Sequence, residues 1–500
     1  MKAWHWKTTP AARIRKTRCA QTKLPSDAKT FRTAAGYSLM GNKLFFTLLL
    51  LVIAKPLWAG QLQSIDTFMR PAGAAEMQEV AAGYQALFTC SAHFVAQRPL
   101  AAIIDVELVD MAEFELPQPE IDEQRQLVRA SNGEGFTAVA AYRPSVGCTL
   151  LPPTWTEADV GRLPNVTLAA TPSMDSVAFP LGDKANVKSD RRARTLLDQA
   201  FDGQTFGEDT VTVGIAIVHE GKLVAEQYRD GFGIHSGYRT WSTAKSISAS
   251  LIGIAVKDGL IEVNAPADIP EWRFFNDPRQ AITYEHLLHM SSGLYSQRAN
   301  TNAMYFGGQD VISSATTTHL EVEPNTRWKY ANNDTLLLLR GLRATLDNDL
   351  AYLRYPYDKL FHRIGMYHTR MEMDHQGNFI GSSQVYTTAR DLARFGRLYL
   401  NKGVWDGQQI LPVGWTDYVA EAAPTLPRSP GKRGYGAQFW LLDSLPGVPA
   451  GTYTTAGNKG QFVTIIPGQD MVIVRTGVDP NGKTWALDKF INAAVEVFGE

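Results

Sequence analysis

The chain has 500 residues, 44% of them hydrophobic and 20% charged. That balance excludes a mainly disordered protein, and the length exceeds what a single core usually holds. The formal charge of −1 averages a basic first part (eleven Lys/Arg and one acid in residues 1–59) with a remainder of −11. Phosphate binding needs clustered basic charge, so no nucleic-acid partner is expected of the acidic body.

Residues 1–59 read as a leader. The apolar run from Leu44 to Ala54 follows Lys43, and Pro56-Leu57-Trp58-Ala59 offers a small residue for cleavage. This is the order of a secretory signal, and the run is too short to span a bilayer comfortably. The alternative is an uncleaved amphipathic anchor. Met40 also stands where a start codon would suit. The expectation is an exported, periplasmic protein with no membrane span after cleavage. Of Cys19, Cys90 and Cys148, cleavage leaves two. In an exported protein that points to a Cys90–Cys148 disulfide, although spacing alone leaves two buried thiols open. No CxxC pair suggests a zinc ribbon.

Residues 60–150 are expected to form a small α+β unit. Ala75 to Phe88 has helical apolar spacing, and Ala101 to Leu108 reads as a strand. Gln126–Ser131 and Phe136–Tyr142 flank Asn132-Gly133-Glu134-Gly135, a hairpin signal. Residues 151–190 are loop-rich, a linker or wrapping segment. A second unit spans 191–500. It opens with a helix over Arg194–Phe201. Strands follow over Val211–His219 and Lys222–Tyr228, joined through Glu220-Gly221, and then a helix from Ser242 to Asp258 that stops at Gly259. Residues 260–430 are mostly helix and loop. Strands return over Gly436–Leu442, Gln461–Pro467 and Met471–Thr476, before an amphipathic helix over Trp485–Phe498. Strands at both ends predict one antiparallel sheet interrupted by a helical insertion, an α+β fold.

Three Ser-x-x-Lys matches occur. Ser26…Lys29 lies in the leader, and Ser429…Lys432 contains Pro430 and Gly431 and is a turn. Only Ser242-Thr243-Ala244-Lys245 opens a helix, where three-residue spacing stacks the two side chains on one face. The helix N-terminus offers free N–H groups and a positive dipole end to an anionic intermediate. A lysine of lowered pKa can deprotonate the serine. Taken alone, the pattern also fits an N-cap serine and a surface lysine.

From Trp241 onward, several ordered segments resemble the serine β-lactamase and penicillin-binding family in its class C and esterase branch. They are Ser242-Thr243-Ala244-Lys245, then Ile282-Thr283 through Ser292-Gly293-Leu294, and then Tyr330-Ala331-Asn332 after Pro324 to Lys329. Leu360–Thr369 and Thr388–Leu400 are similar to its later helices. The resemblance covers roughly residues 190–500. Where the lactamases carry Lys-Thr-Gly or His-Thr-Gly, this chain reads Thr455-Ala456-Gly457-Asn458-Lys459-Gly460-Gln461. That form is similar to the branch of 6-aminohexanoate-dimer hydrolases and related esterases.

The resemblance implies a serine hydrolase of a small ester or amide acting through an acyl-enzyme. Ser242 would be the nucleophile, with Lys245 and Tyr330 sharing the proton transfers and a lysinium favouring the tyrosinate. Asn332 would orient Lys245 or bind substrate, and Gly457, Asn458 and Gln461 would line the oxyanion side. No cofactor or metal is implied. The alternatives are a β-lactamase or D,D-peptidase, and a non-catalytic penicillin-recognising binding protein.

Other signals carry less. Gly477 to Thr484 fits a P-loop pattern, but only sixteen residues follow it, so it reads as a polar turn and no nucleotide is expected. His286 and His289 share a helix face without a third ligand. Arg390, Asp391, Arg394 and Arg397 read as a solvated or ion-paired helix face.

Overall fold

The structure is a computed structural model that describes residues 74–187, 190–296 and 304–499. The leader, Met40, Cys19 and Ser26…Lys29 lie outside the described residues.

Helix α1 (Ala74–Cys90) covers a four-stranded antiparallel sheet of β1 (Glu120–Asp122), β2 (Leu127–Ser131), β3 (Thr137–Arg143) and β4 (Gly147–Leu150). The β2–β3 turn closes because Asn132 Oδ1 accepts the N–H groups of Glu134 (2.9 Å) and Phe136 (3.0 Å). A disulfide joins Cys90, at the end of α1, to Cys148 in β4, with Cα atoms 6.1 Å apart.

Between α1 and this sheet, the segment read as a strand is helix α2 (Leu100–Val106). Pro99, in extended conformation, leads into it, and its N-terminal side needs no N–H from a proline. Only Ile103 is fully buried, which is the burial of a short surface helix and not the alternation of a strand.

The second part opens with α3 (Arg191–Phe201), β5 (Thr212–His219), β6 (Lys222–Tyr228) and the short β7 (Tyr238–Arg239). Next come α4 (Thr243–Lys257) and α5 (Asn332–Ala344). The expected helix-and-loop region also holds short strands, among them β8 (Arg370–Met371) and β9 (Val385–Thr387); β9 pairs with β7 on one side and with β8 on the other. Helix α6 spans Ala389–Leu400. The strand expected over Gly436–Leu442 is split into β10 (Gly434–Tyr435) and β11 (Trp440–Leu441), because Gln438 takes a left-handed φ of 63° and turns the chain back. Strands β12 (Tyr453–Gly457), β13 (Gln461–Ile466) and β14 (Met471–Gly477) and helix α7 (Leu487–Phe498) complete the chain. The sequence reading missed β12.

The main sheet is antiparallel throughout, in the order β10-β11-β12-β13-β14-β5-β6. Its last strands in sequence pair with its first, so the helical region is inserted between them. Both faces are covered. Ile215, Ile217, Phe462, Ile466 and Ile473 pack under α3 and α7, while Ala216, Val218, Val463, Ile465, Val472 and Val474 face the larger core with α6. Two-residue alternation therefore serves two apolar layers, which makes these strands read as unbroken hydrophobic runs.

The α6 arginine face is not solvated. Arg394 and Asp391 are buried, 2.8 Å apart, and Arg394 also binds Asp183 at 2.7 Å. Arg390, likewise buried, pairs with Glu226. The carboxylates come from the 151–190 segment and from β6, elements remote in sequence. Asp183, His235 and His368 bring ligand-type atoms within 4.8 Å of one another, but the Arg394 guanidinium already holds Asp183.

The first and second parts share one hydrophobic cluster, which includes Phe88, Cys90 and Val128 together with Ile247, Leu288 and Phe361. Polar ties cross the same boundary. Glu372 Oε1 accepts from Ser91 Oγ (2.6 Å) and from the Cys148 N–H (3.0 Å), and Thr149 Oγ1 donates to the Met373 carbonyl (2.8 Å). No helix among the described residues is long and apolar enough to cross a membrane.

Candidate active site

Ser242 stands immediately before α4, at a sharp bend out of β7. Trp241, just ahead of it, holds a left-handed φ of 48°, a conformation that costs a non-glycine residue roughly 1–2 kcal/mol. Packing sustains that bend. The Arg239 guanidinium lies over the Trp241 ring (4.3 Å) and the Phe88 ring of α1 (4.4 Å). Ser242 has helical dihedrals, and its side chain makes no capping hydrogen bond. It is therefore not an N-cap serine, and its hydroxyl is available to other partners.

Lys245 is not a surface lysine. It is 1% exposed within a helix buried from Thr243 to Ala255. Its Nζ donates to Asn332 Oδ1 (2.7 Å), the Ser382 carbonyl (2.7 Å) and Ser242 Oγ (3.3 Å). All three acceptors are neutral, so nothing offsets the loss of water, and burial lowers its pKa to about 7. The amine is thus neutral in a large share of molecules near pH 7.

Tyr330 also faces Ser242, whose hydroxyl acts on the phenol, and its ring centroid lies 5.1 Å from Lys245 Nζ. Burial pushes the phenol up to about 12, with the Ser242 hydrogen bond acting weakly against it. A lysinium beside a tyrosinate is therefore not the resting state: near neutrality the tyrosine keeps its proton. The ring is set by Trp440, stacked at 5.7 Å, and by Tyr435 at 6.0 Å. Ala331, between Tyr330 and Asn332, is extended, and Asn332 begins α5. That change from strand-like to helical backbone turns both side chains toward Ser242 and Lys245.

The third side is the β12–β13 hairpin. Thr455 Oγ1 meets Thr243 Oγ1 at 3.0 Å, which puts β12 against the first turn of α4. A Cβ at position 457 would collide with the Thr240 carbonyl, so Gly457 is what allows this approach. Asn458 is exposed at the turn. Gln461 is not at the cleft surface. Its carboxamide is buried beneath the turn, bonded to the Gly477 and Lys459 carbonyls and accepting the Gly477 N–H. It braces the hairpin. Gly460 has φ 82°, and a side chain there would run into the Arg475 guanidinium.

The structure thus brings Ser242, Lys245, Tyr330 and Asn332 together, sets Gly457 against the backbone just before Ser242, and leaves Asn458 exposed on the β12–β13 turn with Gln461 beneath it. Sequence reasoning missed Ser382, whose contribution is a backbone carbonyl that no residue type announces, and Trp440, which lies 110 positions from the tyrosine it supports. His286 and His289 play no part: His286 Nδ1 accepts the Thr283 N–H, and His289 packs against Tyr418. In the P-loop-like turn, Lys483 pairs with Asp209 at 2.6 Å.

Comparison with known proteins gives the family of the chain. The model of the family described as Beta-lactamase matches residues 197–482, more than half of the chain. A 6-aminohexanoate-dimer hydrolase of Paenarthrobacter ureafaciens is 23% identical over 321 residues, covering 56% of this chain and 76% of that protein. Among solved structures, a candidate β-lactamase from Bacteroides dorei aligns with a TM-score of 0.51 at 16% identity, over 63% of this chain and 100% of its own. A candidate 6-aminohexanoate-dimer hydrolase from Bacillus anthracis aligns with a TM-score of 0.49 at 22% identity, over 67% of this chain and 88% of its own. The matched span contains the two-faced sheet, its helical insertion and the Ser242 bend, and on that footing the chain belongs to the β-lactamase family.

Proposed function

We propose that the protein is an exported serine hydrolase that cleaves a small carboxylic ester or short amide through an acyl-enzyme on Ser242. The observation that carries this reading is Lys245: a buried amine, lowered to about 7 by desolvation and 3.3 Å from the serine oxygen. It can accept a proton at neutral pH, as a general base requires.

In the proposed sequence, Ser242 Oγ forms a bond to the substrate carbonyl carbon while its proton passes to Lys245 Nζ. The carbonyl oxygen becomes an oxyanion, facing the N–H groups of Ser242 and Asn458. Collapse breaks the ester C–O or amide C–N bond, and the leaving group takes a proton from the Tyr330 hydroxyl, which Lys245 restores. Water then attacks the acyl carbon, gives its proton to the same pair, and releases the carboxylic acid and Ser242. Asn332 holds the Lys245 amine in place throughout. The same geometry favours residues 191–500 as the hydrolase domain, with residues 60–150 as a wall behind the Ser242 bend.

The lactamase reading differs in charge. Thr455 stands where that branch carries a cation, and its hydroxyl is buried against Thr243 and the Val463 N–H. Turnover of p-nitrophenyl butyrate, a short amide and a chromogenic cephalosporin should therefore rank the ester or amide above the lactam by at least about tenfold, the worth of one charge-assisted hydrogen bond. A cephalosporin hydrolysed faster than the ester would move the assignment to a lactamase.

A further inference from the structure

Asp183, His235 and His368 come together from loops far apart in the chain. Asp183 belongs to the 151–190 segment, His235 to the connection between β6 and β7, and His368 to the loop before β8. Each brings one ligand-type atom to within 4.8 Å of the other two. Contacts outside the cluster set all three backbones. The Asp183 N–H donates to the Met174 carbonyl (2.8 Å), and the His368 N–H donates to Asp391 Oδ2 (2.9 Å). Beside His235, the Gly233 N–H donates to Ser236 Oγ (2.9 Å) and Phe232 stacks on Tyr238 (5.6 Å).

Arg394 takes only one oxygen of Asp183. It binds Oδ1 (2.7 Å) together with the Pro180 and Gly182 carbonyls, which fixes the plane of the carboxylate. Oδ2 is left facing His368 Nε2 at 3.5 Å. That gap exceeds the roughly 2.7–3.2 Å of a well-formed N–H···O bond. It is close to the edge of about 3.3 Å that bonds of 2.0–2.1 Å give a tetrahedral zinc site. The two imidazole rings lie 4.6 Å apart, and Asp175 Oδ1 stands 3.2 Å from His235 Nε2. Three carboxylates, Asp175, Asp183 and Asp391, outnumber the Arg394 guanidinium among them, while Arg390 is matched by Glu226. The donors also run from buried Asp183 to His235, which is 44% exposed, so an ion has a way in.

We infer that Asp183, His235 and His368 form a binding site for a divalent metal ion of the zinc class. Two imidazoles and a carboxylate suit zinc, whereas calcium and magnesium take oxygen ligands throughout. Arg394 is then the outer partner that orients the ligating carboxylate. Asp183 lies outside the span that the family model matches, residues 197–482, whereas both histidines lie inside it. A bound ion therefore clasps the 151–190 segment onto the hydrolase part. The site is structural, and the inference does not depend on the reading of Ser242.

The test is calorimetric titration of zinc chloride into tag-free, chelator-stripped protein, with cobalt(II) as a visible-absorption probe of the same ligands. Wild type is expected to bind one equivalent of zinc and to unfold at a higher temperature with it than without it. His235→Ala and His368→Ala should each weaken zinc binding by at least about tenfold and remove the cobalt absorption band. His319→Ala, which removes a histidine stacked on Tyr295 elsewhere, should keep the wild-type affinity. Zinc should also slow proteolytic cleavage within residues 174–184 of wild type and have no such effect in His235→Ala/His368→Ala. A folded wild type that binds no zinc overturns the inference and leaves a plain ion pair between His368 and Asp183. One equivalent that persists undiminished in the double variant overturns it too, as an adventitious ion only. Should His368→Ala fail to fold, His235→Ala decides the test, because its side chain is exposed and its loss removes no packing from the core.

Discussion

A lysine one turn into a helix usually extends to solvent; Lys245 cannot, because α4 runs through the core. Its three neutral acceptors leave desolvation as the dominant influence on its charge. The amine accepts the Ser242 proton only when neutral, so kcat/KM for a neutral ester should rise with pH through about 7 and then level off, since Tyr330 keeps its proton to about 12. A pH–rate profile checks this. A limb near pH 10, where an unperturbed lysine titrates, would place the base elsewhere. The Ser242–Lys245 pair was legible in the sequence because a three-residue spacing on a helix is local geometry. The direction of Tyr330 was not. Its protonation depends on Trp440, Tyr435 and burial, which only the folded chain brings together.

At the scale of elements, β5, β6, β13 and β14 of the main sheet were readable from their apolar runs, as was the β2–β3 hairpin from its Asn-Gly turn. Short elements were not. Ala101–Leu108 has the composition of a strand, yet it lies on the surface after Pro99, where a two-turn helix buries Ile103 and leaves the rest partly wet. Strand β12 was hidden because four of the five residues of Tyr453–Gly457 are polar or small, and Thr455 meets Thr243 of α4 where an apolar side chain would have announced a strand. The α6 charges were read as a solvated or ion-paired face, and the ion-paired alternative holds, although nothing in the helix itself announces Asp183 or Glu226 as partners. The Cys90–Cys148 link ties α1 to β4 across 58 positions. Cys90→Ser/Cys148→Ser should lower stability by about 4 kcal/mol in the chain-entropy model, read as a lower denaturant midpoint in the double variant. An unchanged midpoint, with both thiols alkylated in folded wild type, would mean the bond does not form.

For the whole molecule, the two parts are joined by a shared apolar core and by buried polar ties. Glu372 is the polar pin between them, and burial raises its carboxyl to about 7. Between roughly pH 4.5 and 7 the folded protein keeps a proton on Glu372 that the unfolded chain releases, so this group makes stability fall as pH rises through that window. Glu372→Gln keeps an acceptor for Ser91 and Cys148 but cannot titrate. Its unfolding midpoint should change less between pH 5 and pH 7.5 than that of wild type, and an equal change would show that Glu372 does not govern the junction.

The central claim is that Ser242 is an activated nucleophile. Its direct measurement is labelling of the intact protein with a fluorophosphonate, followed by mass mapping of the modified peptide. The account predicts rapid, stoichiometric modification of Ser242, much slower modification in Lys245→Met, and none in Ser242→Ala. A folded wild type that stays unlabelled, or that carries the label on another serine, would contradict it.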